Sequence, residues 1–259
     1  MKKRPRIGVT NPEVGGFSAW IMTWFALRRV GADAVRLSTD KNFDINDFDG
    51  FVMGGGSDID PENYGEELRE VIKDDEGHTS ISGRIFGVLL LLLRFVSGIR
   101  IGQLHVDRAR DEMESRICRH AIDMKLPLLG ICRGAQMINI VLGGDLHRDI
   151  SGFYIETPQI RSVLPRKKVF IKGRSRLREI LNVESCTVNA LHNQAVKNLG
   201  RDLIISALEK GDVVQGMEST THPFLIGVQW HPEYLPQKRI QQRLFKALAR
   251  AAKQRAENR

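Results

Sequence analysis

Short apolar runs separated by amphipathic stretches set the pattern of this chain. "PRIGVT" (5–10) and "DAVRLS" (33–38) each read as a buried strand. Between them, "FSAWIMTWFALRRVGA" (17–32) repeats its apolar residues at helical spacing and stops at Gly31. "FDGFVMGGGSDIDP" (48–61) is a strand that runs into a glycine-rich loop. "RARDEMESRICRHAIDMKLP" (108–127) predicts an amphipathic helix closed by Pro127. "LLGIC" (128–132) is a strand, and "GAQMINIVLGG" (134–144) is a helix with a glycine stop. Three further strands follow at "DLIISALE" (202–209), "VVQGMES" (213–219) and "FLIGVQW" (224–230). The tail, 237–259, places Ile240, Leu244, Ala247, Leu248 and Ala251 on one helical face. Apolar strands alternating with helices predict an α/β fold. The expectation is one domain over 1–259, with a mostly parallel central sheet flanked by helices.

One stretch breaks this pattern. "GRIFGVLLLLLRFVSGIRIG" (83–102) is the most apolar part of the chain. Its unbroken apolar portion, 85–93, is shorter than the ~20 residues a spanning helix needs. Arg94 and Arg100 would be costly at a bilayer centre. A buried helix is expected instead, within an insertion at about 67–106. Five consecutive leucines need a cover. The segment is expected in a self-association interface or as a lid over the pocket. A second copy of the chain, making a homo-oligomer through 83–102, is the first choice of cover. A membrane surface is the second, and another protein comes behind both.

Composition narrows the class. Three cysteines in 259 residues make no disulfide framework. They fit a reducing cytoplasm, where a singled-out cysteine is more often reactive than bridged. The basic N-terminus leads into a strand rather than a long apolar stretch, so a secretory signal is not expected. The net charge of +8 is concentrated in the tail, where it reads as the solvated face of a docked helix. No motif with interleaved aromatics accompanies it, so nucleic acid is not an expected partner.

Chemistry centres on "GICRG" (130–134). A strand, a tight turn and a helix, with Gly130 and Gly134 on either side of Cys132, form a nucleophile elbow of the G-x-S-x-G type with sulfur in place of oxygen. Such a turn thrusts the side chain out at the carboxyl end of the sheet. The positive end of the next helix favours an anion there. The N–H of Arg133 points where an oxyanion would form. A thiol nucleophile needs a base, and His231 in "GVQWHPEY" follows a strand directly. Glu233, two residues on, can orient its imidazole. The glycines of "MGGGSDIDP" let backbone approach a ligand closely and can supply a second oxyanion donor. A phosphate loop is disfavoured there, because the lysine motif is missing and Asp58 and Asp60 would repel phosphate.

These residues resemble the class I glutamine amidotransferase superfamily. More closely, the chain is similar to the gamma-glutamyl-gamma-aminobutyrate hydrolase family, in "FDGFVMGGGSDIDPENYGE" (48–66), "RDEME" (110–114), "PLLGICRGAQMINIVLGGDLHRDI" (127–150), "VNALHNQAV" (188–196) and "GVQWHPEY" (227–234). The resemblance implies flavodoxin-like layers, Cys132 as nucleophile, and His231 and Glu233 as its partners. It implies an oxyanion hole from the backbone of Gly55 or Gly56 and of Arg133, with His192 and Gln194 on the substrate side. The implied reaction is hydrolysis of a gamma-glutamyl amide through a thioester, with no metal and no organic cofactor. A glutaminase subunit feeding a separate synthase, and a non-catalytic assembly module, are the alternatives. Cys118 and Cys186 match no catalytic position. Two departures stand out. Gly54 occupies a place where the family often has proline, and the connection from "YGE" to "RDEME" carries the apolar insertion.

Overall fold

The computed structural model describes residues 4–12, 16–56, 107–154, 159–160 and 162–257. The expected apolar insertion at about 67–106, and the run 83–102 within it, lie outside the described residues.

A nine-stranded sheet organises the domain, in the order β2-β1-β3-β4-β11-β10-β9-β6-β7. Its first half is parallel and comprises β1 (Arg6–Thr10), β2 (Asp33–Leu37), β3 (Gly50–Met53), β4 (Leu128–Ile131) and β11 (Leu225–Val228). All four residues of β3, β4 and β11 are buried, as expected for strands covered on both faces. Alternate residues point to opposite layers. Val9, Val52, Leu129, Ile131 and Val228 join one cluster with α1 (Phe17–Arg29), α4 (Arg176–Leu181) and α5 (Arg239–Glu257). Phe51, Met53, Leu128 and Leu225 join the other with α2 (Arg108–Asp123) and α3 (Arg133–Val141). Helices on both faces of the sheet give the three layers expected from the sequence.

The second half of the sheet is an antiparallel wing of β10 (Val214–Ser219), β9 (Leu203–Glu209), β6 (Ser162–Ile171) and β7 (Ser185–Ala190). Two-residue strands β5 (Leu146–His147) and β8 (Ala195–Val196) pair separately beside it. The wing curls. β7 is four places from β11, or about 19 Å across a flat sheet. Yet the Asn189 side chain of β7 hydrogen-bonds the backbone of His231, just past β11, at 2.8 and 2.9 Å. The free end of the sheet therefore folds back to the ends of the central strands.

Among the described residues no helix is long and apolar enough to cross a membrane.

Candidate active site

Cys132 stands between β4 and α3 with φ 52° and ψ −109°, a conformation that strains any residue with a Cβ. Its neighbours explain how the turn is accommodated. A Cβ on Gly134 would overlap the Met53 carbonyl oxygen, and one on Gly130 would lie 2.7 Å from the Ala135 nitrogen. Only glycine lets strand and helix approach this closely. The Cys132 carbonyl takes up the N–H groups of Ala135 (3.0 Å) and Gln136 (3.2 Å). The first N–H of α3, that of Arg133, thus adjoins the sulfur in the chain, at the positive end of a buried helix.

His231 caps a 3-10 turn, Pro232–Tyr234, that follows β11. Its imidazole is buried and hydrogen-bonded on both sides. Nδ1 meets Glu233 Oε1 at 2.7 Å, and the ring also bonds the Cys132 side chain. Burial works against a charged imidazole here. The charge of Glu233 and that of the sulfur outweigh it, so the His231 pKa stands well above its ordinary value. Glu233 is 1% exposed, which keeps its carboxylate out of competition with water. The sequence-predicted residues Cys132, His231 and Glu233 are therefore brought into one hydrogen-bonded line. Tyr234 stacks beside the ring, with centroids 5.4 Å apart, and its hydroxyl reaches Ser18 of α1.

The glycine loop closes on the same place. The His231 ring lies against the Cα of Gly55, with Nδ1 3.2 Å from where a Cβ would stand. Arg110 Nη2 donates to the carbonyls of Gly54 (3.2 Å) and Gly55 (3.0 Å). All described peptides are trans, and a trans peptide aims its N–H opposite to its C=O. The N–H groups of Gly55 and Gly56 therefore face away from Arg110. Gly54 itself donates its N–H to Thr10 Oγ1 at 3.2 Å, a bond proline could not make.

Arg110 belongs to a buried ionic cluster beneath the loop. Its Nε bonds Glu114 Oε1 at 2.8 Å, Thr10 Oγ1 donates to the same oxygen at 2.6 Å, and the Arg133 guanidinium pairs with Glu114 and Asp111. Burial opposes a charged Glu114, but the two arginines hold its carboxyl below the usual range. Burial, then the like charge of Arg133, pulls Arg110 down to about 10, still a cation at neutral pH. Sequence reading marked "RDEME" without giving these side chains a role. Their signal is an acid–base set on the inward face of a helix, legible only once the partner loop is placed.

His192 and Gln194 sit on the wing side. His192 Nδ1 donates to the Gln194 carbonyl at 2.9 Å, which leaves Nε2 to accept from Gln215 Nε2 at 3.3 Å. Gln215 also donates to Glu209 (3.0 Å), and Glu209 pairs with buried Lys167 (2.6 Å) and bonds the Tyr154 hydroxyl. The sequence pattern missed Gln136, Asn189, Gln215 and Gln229, neutral amides that carry no periodic signal. Among the described residues no group of three or more His, Cys, Asp or Glu is placed to hold a metal ion.

Comparison with known proteins gives the chain its family. Residues 100–233 match the Peptidase C26 family. A glutamine amidotransferase-like protein of Rickettsia prowazekii is 30% identical over 98% of this chain and 99% of its own length. The gamma-glutamyl-gamma-aminobutyrate hydrolase PuuD of Escherichia coli is 30% identical over 49% of this chain and 54% of its own. A solved structure from Thermoplasma acidophilum, described as part of a GMP synthase, shares the fold. Its TM-score is 0.63 at 19% identity, covering 100% of this chain and 98% of that one. A chain that matches the family over half its length, and one relative along nearly all of it, is a member: this protein belongs to the Peptidase C26 family, within the class I glutamine amidotransferase-like superfamily.

Proposed function

We propose that this chain is a cysteine-dependent amidase that hydrolyses the gamma-glutamyl amide bond of a small gamma-glutamyl amine or amino acid. The observation that carries the reading is the line Cys132–His231–Glu233, set at a strained elbow beside a glycine loop. The Cys132 thiolate attacks the gamma-carbonyl carbon, and the carbonyl oxygen becomes an oxyanion held by backbone N–H groups of Arg133 and of Gly55 or Gly56. His231, protonated and paired with Glu233, gives its proton to the leaving nitrogen as the C–N bond breaks. A gamma-glutamyl thioester and a free amine result. Neutral His231 then takes a proton from water, whose oxygen attacks the thioester and releases glutamate and the thiolate. His192 and Gln194 border the substrate side.

The test is turnover of a panel of gamma-glutamyl amides by the purified chain, with Cys132→Ala as control. Release of glutamate by wild type alone, lost in Cys132→Ala, is expected. Absence of turnover on every amide would end the reading.

One feature favours a second reading, a glutaminase that passes ammonia to a separate synthase. Phe17, Ile21, Trp24 and Phe25 share one face of α1 and are 41–55% exposed, and α1 reaches the catalytic turn through Ser18 and Tyr234. Glutamine hydrolysis that appears only when a partner protein is added would favour it.

A further inference from the structure

Gln229 lies between β11 and His231, and its side chain reaches the sulfur: Nε2 stands 3.5 Å from Cys132 Sγ. Which end of this amide faces the sulfur is decided some distance away. The Gln194 backbone carbonyl can only accept. It takes one hydrogen bond from His192 Nδ1 (2.9 Å) and one from Gln136 (3.0 Å), so the Gln136 group facing it must be its NH2. The same NH2 meets Gln229 at 3.1 Å, so the atom it meets must be the Gln229 oxygen. The Gln229 NH2 is thereby left pointing at Cys132. A fixed carbonyl on one loop has set the direction of a donor on another.

We propose that Gln229 is a further catalytic residue, a side-chain N–H donor that stabilises the Cys132 thiolate, and that Gln136 is the positioning residue that holds its amide in the donating direction. The inference deepens the reading of Cys132 as nucleophile and rests on it. A hydrogen bond to the charged form favours that form. It also tempers the thiolate, because a better-stabilised anion is a weaker nucleophile. Among the described residues, few other charges face the sulfur. His231 bonds it, with Glu233 and the Tyr234 phenol behind, the latter a neutral group because burial raises its pKa. The Arg133 guanidinium turns to Glu114 and Asp111, Arg110 turns to Glu114 and the glycine loop, and β4, β11 and β3 carry no ionisable group. Glu209 and Lys167 of the wing stand behind Gln215, whose side chain also meets His192 and whose backbone carbonyl accepts the Gln229 N–H at 2.9 Å.

The experiment is the rate of Cys132 alkylation by iodoacetamide against pH, in the full chain, for wild type, Gln229→Leu and Gln229→Glu. Glutamate keeps an acceptor for Gln136 and replaces the donor with a like charge. Loss of the donor should raise the midpoint by about one pH unit or more, a rate about tenfold lower at a fixed pH below it. The plateau above the midpoint should rise in Gln229→Leu. A residue that merely fills space would lower rates without moving the midpoint. Midpoints within about 0.3 unit of wild type in both variants would overturn the proposal. For variants that do not fold, wild type labelled with 15N in its glutamine side chains supplies the measurement. The Gln229 amide signal should shift as Cys132 titrates and stay fixed in Cys132→Ala, and a signal that ignores the titration would sink the idea. Wild-type Cys132 reacting no faster than Cys118 would instead refute the nucleophile on which the inference rests.

Discussion

Single residues at this site differ in what their loss removes. Burial pushes the Cys118 thiol up to about 12 and the Cys186 thiol up to about 11, so neither offers thiolate at neutral pH. Iodoacetamide should therefore modify Cys132 first, and loss of turnover should track that one adduct by mass spectrometry. In the proposed reaction His231 moves protons, whereas Glu233 holds the imidazole and favours its charge. His231→Ala should thus cost more in kcat than Glu233→Ala, by about tenfold or more in steady-state assays. The His231–Glu233 pair also couples stability to pH. The folded pKa of His231 is raised above an unfolded value of about 6.5, so its contribution is complete below that pH and is lost as pH rises through the folded value. Melting curves of wild type and His231→Gln should lie furthest apart in mild acid and converge on the alkaline side. Cys132, His231 and Glu233 were legible in the sequence because their signals are local: flanking glycines, and a carboxylate two positions from an imidazole. Asn189, Gln136 and Gln229 were not, because an amide's role depends on which group the fold sets opposite it.

At the scale of elements, the elbow depends on how closely three of them approach. α3 begins against β3, with the Gly134 Cα facing the Met53 carbonyl. Gly134→Ala forces a methyl group into strand backbone, which cannot yield as a side chain can. We expect a loss of about 2 kcal/mol or more, read from chemical denaturation, together with a fall in kcat as the sulfur is displaced. Strands β1 to β4, β11 and the helices between them follow their apolar periodicity, since each buries a continuous or one-sided face. The region 145–201 gave no such signal. β6 turns Lys167 inward, where it is buried against Glu209, and carries Pro165 within its length. A buried ion pair thereby hides the alternation that would mark a strand. β5 and β8 are two residues each, too short to show any period.

For the whole molecule, the two halves of the sheet share one core. The cluster that holds Ile7, Val52 and Leu129 of the parallel half also holds Val169, Val188 and Ala207 of the wing, with Trp230 among them. Neither half can lose its packing alone. Thermal unfolding followed by tryptophan fluorescence and by far-ultraviolet circular dichroism should give coincident transitions, and two separated steps would contradict the shared core. The Asn189 clamp on the His231 backbone carries a further consequence. Cys132, the proposed nucleophile, comes from one part of the chain, and Asn189, which grips the proposed base His231, comes from another, with the exposed turn 172–174 between them. Severed at Gly173, the protein would become a pair of silent fragments, one carrying Cys132 and the other carrying Asn189 and His231. Turnover would return only when the two recombine, so the enzyme could be rebuilt as a reporter of whether two tethered partners have met.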